Sequence, residues 1–197
     1  MSTVLRFFLA AVIAYLMGSI SPSIIQGRMH GVDIKKEGSG NAGTTNTLRV
    51  LGRKAALITL TVDIAKGVIA VLIGNALGGE EAGYLCALAV FCGHIWPCFF
   101  GFKGGKGVAT AFGALLGVNW LLGVLALAIV ALGVVTTMKM SVGSVLGAAT
   151  FPVVCWFVEP GFIFIGTIMA VIILVKHRSN IQRLIRGEEP KMSFKKK

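Results

Sequence analysis

Seven apolar runs follow one another along this chain, near Val4 to Ile25, Ala55 to Leu77, Tyr84 to Phe100, Val108 to Val118, Trp120 to Met138, Val142 to Val158 and Phe162 to Lys176. A helix needs roughly 20 apolar residues to cross about 30 Å of hydrocarbon. Six of the runs are close enough to that length to be read as spans. The fourth is about half of it, so it is expected to be tilted, to sit in locally thinned bilayer or to be partly re-entrant. With 55% hydrophobic and only 14% charged residues among 197, an ordinary soluble domain is excluded. The expected fold is all-α: a polytopic integral membrane helical bundle of seven transmembrane helices, forming a single domain over residues 1–197. The first run lacks a compact cleavage site after a short apolar region, and is therefore expected to be a retained span rather than a signal peptide.

Charge sets the expected orientation, because Lys and Arg near span ends stay on the cytoplasmic side. With seven spans and the N-terminus outside, all but Arg6 and Lys66 of the 19 basic residues fall inside. Glu80, Glu81 and Glu159 then fall outside. The C-terminus is cytoplasmic, and its Lys195-Lys196-Lys197 run is expected to touch anionic lipid. Cys86, Cys92, Cys98 and Cys155 lie in or beside apolar runs without metal-ligand spacing, and read as buried thiols.

Three polar, glycine-rich blocks interrupt the apolar runs, and this topology puts the polar part of all three on one membrane face. In the first, Gly38 to Asn46, the glycines Gly38 and Gly40 permit left-handed backbone, while Ser39, Asn41, Thr44, Thr45 and Asn46 supply hydroxyl and amide donors. That composition suits an anion nest or a helix-capping turn. Arg49 follows Asn46 by three residues, so a helix starting here would place its guanidinium on the loop's face, able to grip a phosphate in bidentate fashion.

The second block runs Gly93-His94 through Pro97 to Phe102-Lys103-Gly104-Gly105-Lys106-Gly107 and straight into an apolar helix. A helix N-terminus with two lysines is a phosphate site by dipole and charge together. The spacing is not that of a Walker A loop and no acidic Mg²⁺ partner follows, which disfavours nucleotide hydrolysis. His94 is a candidate substrate contact or a helix-packing hydrogen bond, and Pro97 is expected to kink its helix. The third block starts at His177, with Asn180 and Leu184 on the same helical face; Arg178, Arg183 and Arg186 are expected on lipid headgroups. Ser141 reads as an N-cap that could also donate to an anion. Asp63 and Lys66, inside the second span at i, i+3, are expected to neutralise each other.

The ordered motifs, above all GHxxP followed by FKGGKGVAT over Gly93 to Thr110, resemble the acyl-phosphate-dependent glycerol-3-phosphate acyltransferases of bacterial phospholipid synthesis, commonly called the PlsY family. Thr44 stands where that family commonly has alanine. The third motif runs complete from His177 through Asn180, Arg183 and Gly187 to Glu189. The resemblance implies transfer of a fatty acyl group from acyl phosphate to the 1-hydroxyl of glycerol 3-phosphate, giving lysophosphatidate and inorganic phosphate at the cytoplasmic face of a bacterial inner membrane. It associates Ser39 and Arg49 with activity and the glycine-rich second motif with glycerol 3-phosphate; taken with the chemistry of the residues, Ser39, Arg49, Lys103, Lys106, His177 and Asn180 are expected to be catalytic, and Gly38, Gly40, Asn41, Thr45, Asn46, His94, Gly104, Gly105, Gly107 and Ser141 substrate-binding. Glu189 is associated with structural integrity. The partners are glycerol 3-phosphate, a long-chain acyl phosphate and membrane lipid, with no cofactor, metal, nucleic acid or protein partner required.

The chemistry of the residues agrees. Acyl phosphate is an activated anhydride that needs no enzyme nucleophile, and the chain has no GxSxG elbow. The other large class of glycerol-phosphate acyltransferases pairs a His with an Asp after four intervening residues; here Lys35, Phe99 and Gln182 stand five positions after His30, His94 and His177, so a coenzyme A donor is not expected. The alternative is a carrier for a phosphorylated small solute. Carriers usually set polar sites near the bilayer midplane in repeated halves, whereas these blocks sit at one surface without a repeat.

Overall fold

A computed structural model describes residues 2–192, so the lysine run at 195–197 lies outside the described residues. Every regular element among them is helical. The chain divides into two compact units, Met1–Val118 and Asn119–Lys197.

In the first unit, α1 (Thr3–Ser19) starts at a Ser2 N-cap whose hydroxyl accepts from the Leu5 N–H. It breaks at Ile20 and Ser21, and α2 (Pro22–Met29) restarts on Pro22 at its first turn, where the missing N–H costs nothing. α3 (Thr44–Leu51) is short. α4 (Arg53–Gly78) is 26 residues long, about 39 Å at the α-helical rise. α5 (Glu80–Ile95) ends before Pro97, and a 3₁₀ turn follows at Cys98–Phe100. Pro97 thus terminates this helix, where a kink is expected from sequence: α5 stops two residues earlier, since a proline disfavours helix at the residue before it. α6 (Val108–Val118) closes the unit.

Helix pairs here approach through small residues. A Cβ at Gly18 would run into the Val90 carbonyl of α5, and one at Gly113 into the Ile64 carbonyl of α4. With lipid outside, association depends on such close packing and not on expelling water. Phe91, Val71, Val90 and Ile95 fill the interior, while Phe8 and Leu57 are among the apolar side chains left on the outside.

The second unit contains α7 (Trp120–Thr137), α8 (Met140–Val158), α9 (Ile163–Lys176) and α10 (Arg178–Ile185). Asn119 caps α7 by accepting from Leu121 N–H, and its amide donates to Glu159 Oε2 at 2.8 Å. Phe151 and Phe162 meet edge to face, their centroids 6.5 Å apart. Gly133 of α7 packs against the Gly143 backbone of α8. Val135, Phe157 and Phe164 point outward.

Helix runs along each of the seven apolar runs, the first of them split into α1 and α2, while α3 and α10 lie outside them. Among the described residues, five segments are long and apolar enough to cross a membrane: Thr3–Met29, Arg53–Gly78, Glu80–Phe100, Trp120–Thr137 and Met140–Val158. A sixth qualifies only as Pro160–Lys176 with Arg178–Ile185, bent by 57°. α6 has 11 residues, about 16 Å of helix, so the short fourth run stays short in the fold.

Candidate active site

In the first unit the first two glycine-rich blocks pack on each other. Asn46 organises the first: its Oδ1 accepts from Ser39 N–H at 2.8 Å, and its Nδ2 donates to the carbonyls of Ile34 and Glu37, each at 3.0 Å. Asn46 is buried. Its amide is therefore engaged within the loop. Gly38 and Gly40 adopt φ of +61° and +68°, the left-handed region that glycine enters without a Cβ penalty. The turn leaves Ser39 exposed, with Asn41 and Thr45 half-buried. Thr44 opens α3, and Arg49 lies exposed in its last turn. Thr47 anchors the helix from below, its Oγ1 lying 3.1 Å from the Gly43 carbonyl and 2.9 Å from the Ser23 Oγ of α2.

The second block folds back on the end of α5. Gly104 N–H donates to the Ile95 carbonyl and Gly105 N–H to the His94 carbonyl. These two N–H groups are thus committed internally. The N–H groups of the first turn of α6 have no partner within their helix. A Cβ at Gly104 would strike the His94 carbonyl, and one at Gly105 would strike both the His94 ring and the Ala42 carbonyl of the first block. Gly107, at φ +84°, lies against the Phe91 ring. Gly105 therefore packs directly on the backbone of the first block. Lys103 is exposed and Lys106 half-buried.

Cations cluster around this junction. Lys35 Nζ donates to the Phe100 carbonyl at 3.1 Å, and the Arg28 guanidinium lies 5.1 Å from the centre of the Phe100 ring. Burial pushes the Lys35 ammonium below its ordinary pKa; Asp33 opposes this, and Arg28 and Lys103 add to it by repulsion. Beside them opens a cavity of about 420 Å³ whose wall includes Ile24, Arg28, Asp33 and Lys35. Sequence spacing gave no reason to join Arg28 and Lys35 to the second block, because the contact runs through the Phe100 backbone and ring.

His94 is buried, with Nδ1 3.1 Å from Lys66 Nζ and 3.2 Å from Asp63 Oδ1. The expected Asp63–Lys66 pair is present at 2.8 Å. Its link to His94, on another helix, was invisible to spacing.

In the second unit the third block does not continue its helix. The chain bends at His177, between α9 and α10. His177 is buried, with Nδ1 2.9 Å from the Ile173 carbonyl. A carbonyl only accepts, so Nδ1 carries the hydrogen and the neutral ring keeps its basic lone pair on Nε2. Asn180 Nδ2 donates to Glu189 Oε1 at 2.6 Å and Arg183 Nε to Glu189 Oε2 at 2.7 Å. Arg183 is thereby placed on Glu189, where the sequence pointed to a lipid headgroup. Burial raises the Glu189 pKa, but hydrogen bonds from Asn180 and Arg183 and the Arg183 charge outweigh it and hold the carboxyl below its ordinary 4.5. Ser141 is not the expected N-cap: Lys139 occupies that position, and Ser141 is the second helical residue, buried beside Glu189.

The fold and these sites define a helical membrane protein with two glycine-rich loops packed on each other. The model of the glycerol-3-phosphate acyltransferase family matches residues 8–187, and the chain belongs to that family. A glycerol-3-phosphate acyltransferase of Thermoanaerobacter sp. (strain X514) is 46% identical over 191 residues, covering 95% of this chain and 96% of the relative. One from Clostridioides difficile (strain 630) is 42% identical over 201 residues, with 98% of each chain covered. The crystal structure of PlsY (YgiH), an integral membrane glycerol 3-phosphate acyltransferase, in its glycerol 3-phosphate form superposes with a TM-score of 0.90 at 31% identity, covering 95% of this chain and 96% of that one. Its lysophosphatidic acid form gives 0.87.

Proposed function

We propose that this protein transfers a fatty acyl group from a long-chain acyl phosphate to the 1-hydroxyl of glycerol 3-phosphate, the first acylation of bacterial phospholipid synthesis. The observation that carries this reading is the packing of the first two blocks at Ala42 and Gly105, in a chain whose relatives are glycerol-3-phosphate acyltransferases. Two loops rich in anion donors suit a reaction in which both substrates carry phosphate. The apolar helices suit the acyl tail.

In the proposed reaction the hydroxyl oxygen attacks the acyl carbon, an ester C–O bond forms, and the bond from that carbon to the bridging phosphate oxygen breaks. The electron pair leaves with phosphate. Arg49, Lys103 and Lys106 neutralise the charge shifting onto that leaving group, with the exposed turn at Ser39 to Asn41, Thr45 and the first turn of α6 as further donors. The hydroxyl proton goes to a substrate phosphate or to Nε2 of His177, while Asn180 and Ser141 act through the Glu189 knot. Binding and orientation carry most of the rate. Residues 1–197 work as one acyltransferase domain with seven crossings, in the bacterial cytoplasmic membrane, the N-terminus outside and the site facing the cytoplasm, as the basic loops favour.

Purified protein given glycerol 3-phosphate with palmitoyl phosphate or palmitoyl coenzyme A tests the donor. Lysophosphatidate and phosphate in equal amounts from the acyl-phosphate mixture alone is the expected result. Product from coenzyme A alone overturns the donor assignment, and solute flux without product would favour a carrier.

A further inference from the structure

Lys66 lies in the apolar interior of the first unit, yet its ammonium reaches four polar groups on three helices. It is 2.8 Å from Asp63 Oδ1 on its own helix, 3.1 Å from His94 Nδ1 on α5, and donates to the Gly18 and Ile20 carbonyls at 3.0 and 2.8 Å. Those two carbonyls lie at the end of α1, where the chain breaks before α2, and helix-end carbonyls have no partner within their own helix. An ammonium is a favourable partner for them by charge and by hydrogen bonding. Asp63 supplies the countercharge and also faces the His94 ring at 3.2 Å.

Each side of this node leads to one of the two blocks. On one side, α2 starts immediately after the break and holds the first block through Ser23 and Thr47, 2.9 Å apart. On the other, the His94 carbonyl accepts the Gly105 N–H, and the His94 ring lies against Gly105. We infer that Asp63 and Lys66 are positioning residues for the anion-binding loops: acting through His94 and the α1–α2 break, they set the register of the first block against the second. The inference rests on the acyltransferase reading. It explains why charge persists in an apolar span, since a packing role alone is met equally well by neutral residues.

The test is the double variant Asp63→Asn/Lys66→Met, which removes both charges together and leaves no unpaired ion; replacing a whole buried pair is often tolerated where removing one partner is not. Unfolding temperature and the kinetics for glycerol 3-phosphate are measured on the same preparation. The expected result is a folded protein of near wild-type stability whose kcat/KM falls about 100-fold, the scale of a misplacement of about 1 Å, with KM for glycerol 3-phosphate raised. Lowered stability with unchanged KM and kcat would show a merely structural pair and overturn the inference, as would wild-type constants in a stable variant. Should the double variant fail to fold, ¹⁵N signals of the His94 ring in the wild-type protein decide. They are expected to shift on addition of glycerol 3-phosphate, and signals unmoved at saturation overturn the proposal. An inactive wild-type protein, in contrast, is a failure of the acyltransferase reading itself.

Discussion

Arg49 combines exposure with a place at the end of an eight-residue helix that grows directly out of the first glycine-rich turn. Its role in the account is charge neutralisation, so Arg49→Ala is expected to lower turnover by about two orders of magnitude, the scale of one lost preorganised contact. Being exposed, it should leave the unfolding temperature unchanged. Near-normal turnover in the folded variant would remove Arg49 from the site. Glu189 behaves in the opposite way, as a residue of stability. Its folded pKa lies below the ordinary 4.5, so its contribution is fully present above that value and is lost as pH falls through the depressed folded value. The unfolding temperature of the wild-type protein should therefore drop on acidification in that window, and Glu189→Gln should start lower at neutral pH and lack that part of the drop. Parallel profiles for the two proteins would contradict the Glu189 knot. The candidate site was read from residue types alone: glycine, hydroxyl and lysine clusters suit anion donors whatever their packing. Their division of labour was not. Asn46 and Asn180 are expected at the substrate from sequence, and their hydrogen bonds to Ile34, Glu37 and Glu189 are tertiary contacts that spacing does not show.

The helices were legible because their apolar runs have the length that hydrocarbon demands, and α4, α7 and α8 fall within a few residues of the expected limits. The ends were harder to read. α5 stops at Ile95, ahead of Pro97, and the chain bends at His177 just past the last apolar run, neither of which hydropathy registers. What joins the helices is also visible as composition, since glycine recurs where backbones meet. Gly113 of α6 faces the Ile64 carbonyl of α4 with no room for a Cβ. Gly113→Val should force these helices apart and destabilise the first unit by about 1–3 kcal/mol or more, the usual cost of overpacking. Thermal unfolding in detergent checks this, and an unfolding temperature equal to wild type would show that α4 and α6 do not meet as described.

For the whole molecule, the account is of a membrane enzyme that works by gathering two anionic substrates, with the acyl group passing directly between them. In the proposed reaction the activated donor needs no enzyme nucleophile, in keeping with the missing nucleophile elbow, and the glycine-rich blocks that pack at Ala42 and Gly105 are proposed to neutralise the charge. Initial rates measured while glycerol 3-phosphate and palmitoyl phosphate are both varied test this claim most directly. The account predicts intersecting double-reciprocal lines, the pattern of a ternary complex. Parallel lines, with acyl-enzyme accumulating when glycerol 3-phosphate is withheld, would contradict it and require a covalent nucleophile in the chain.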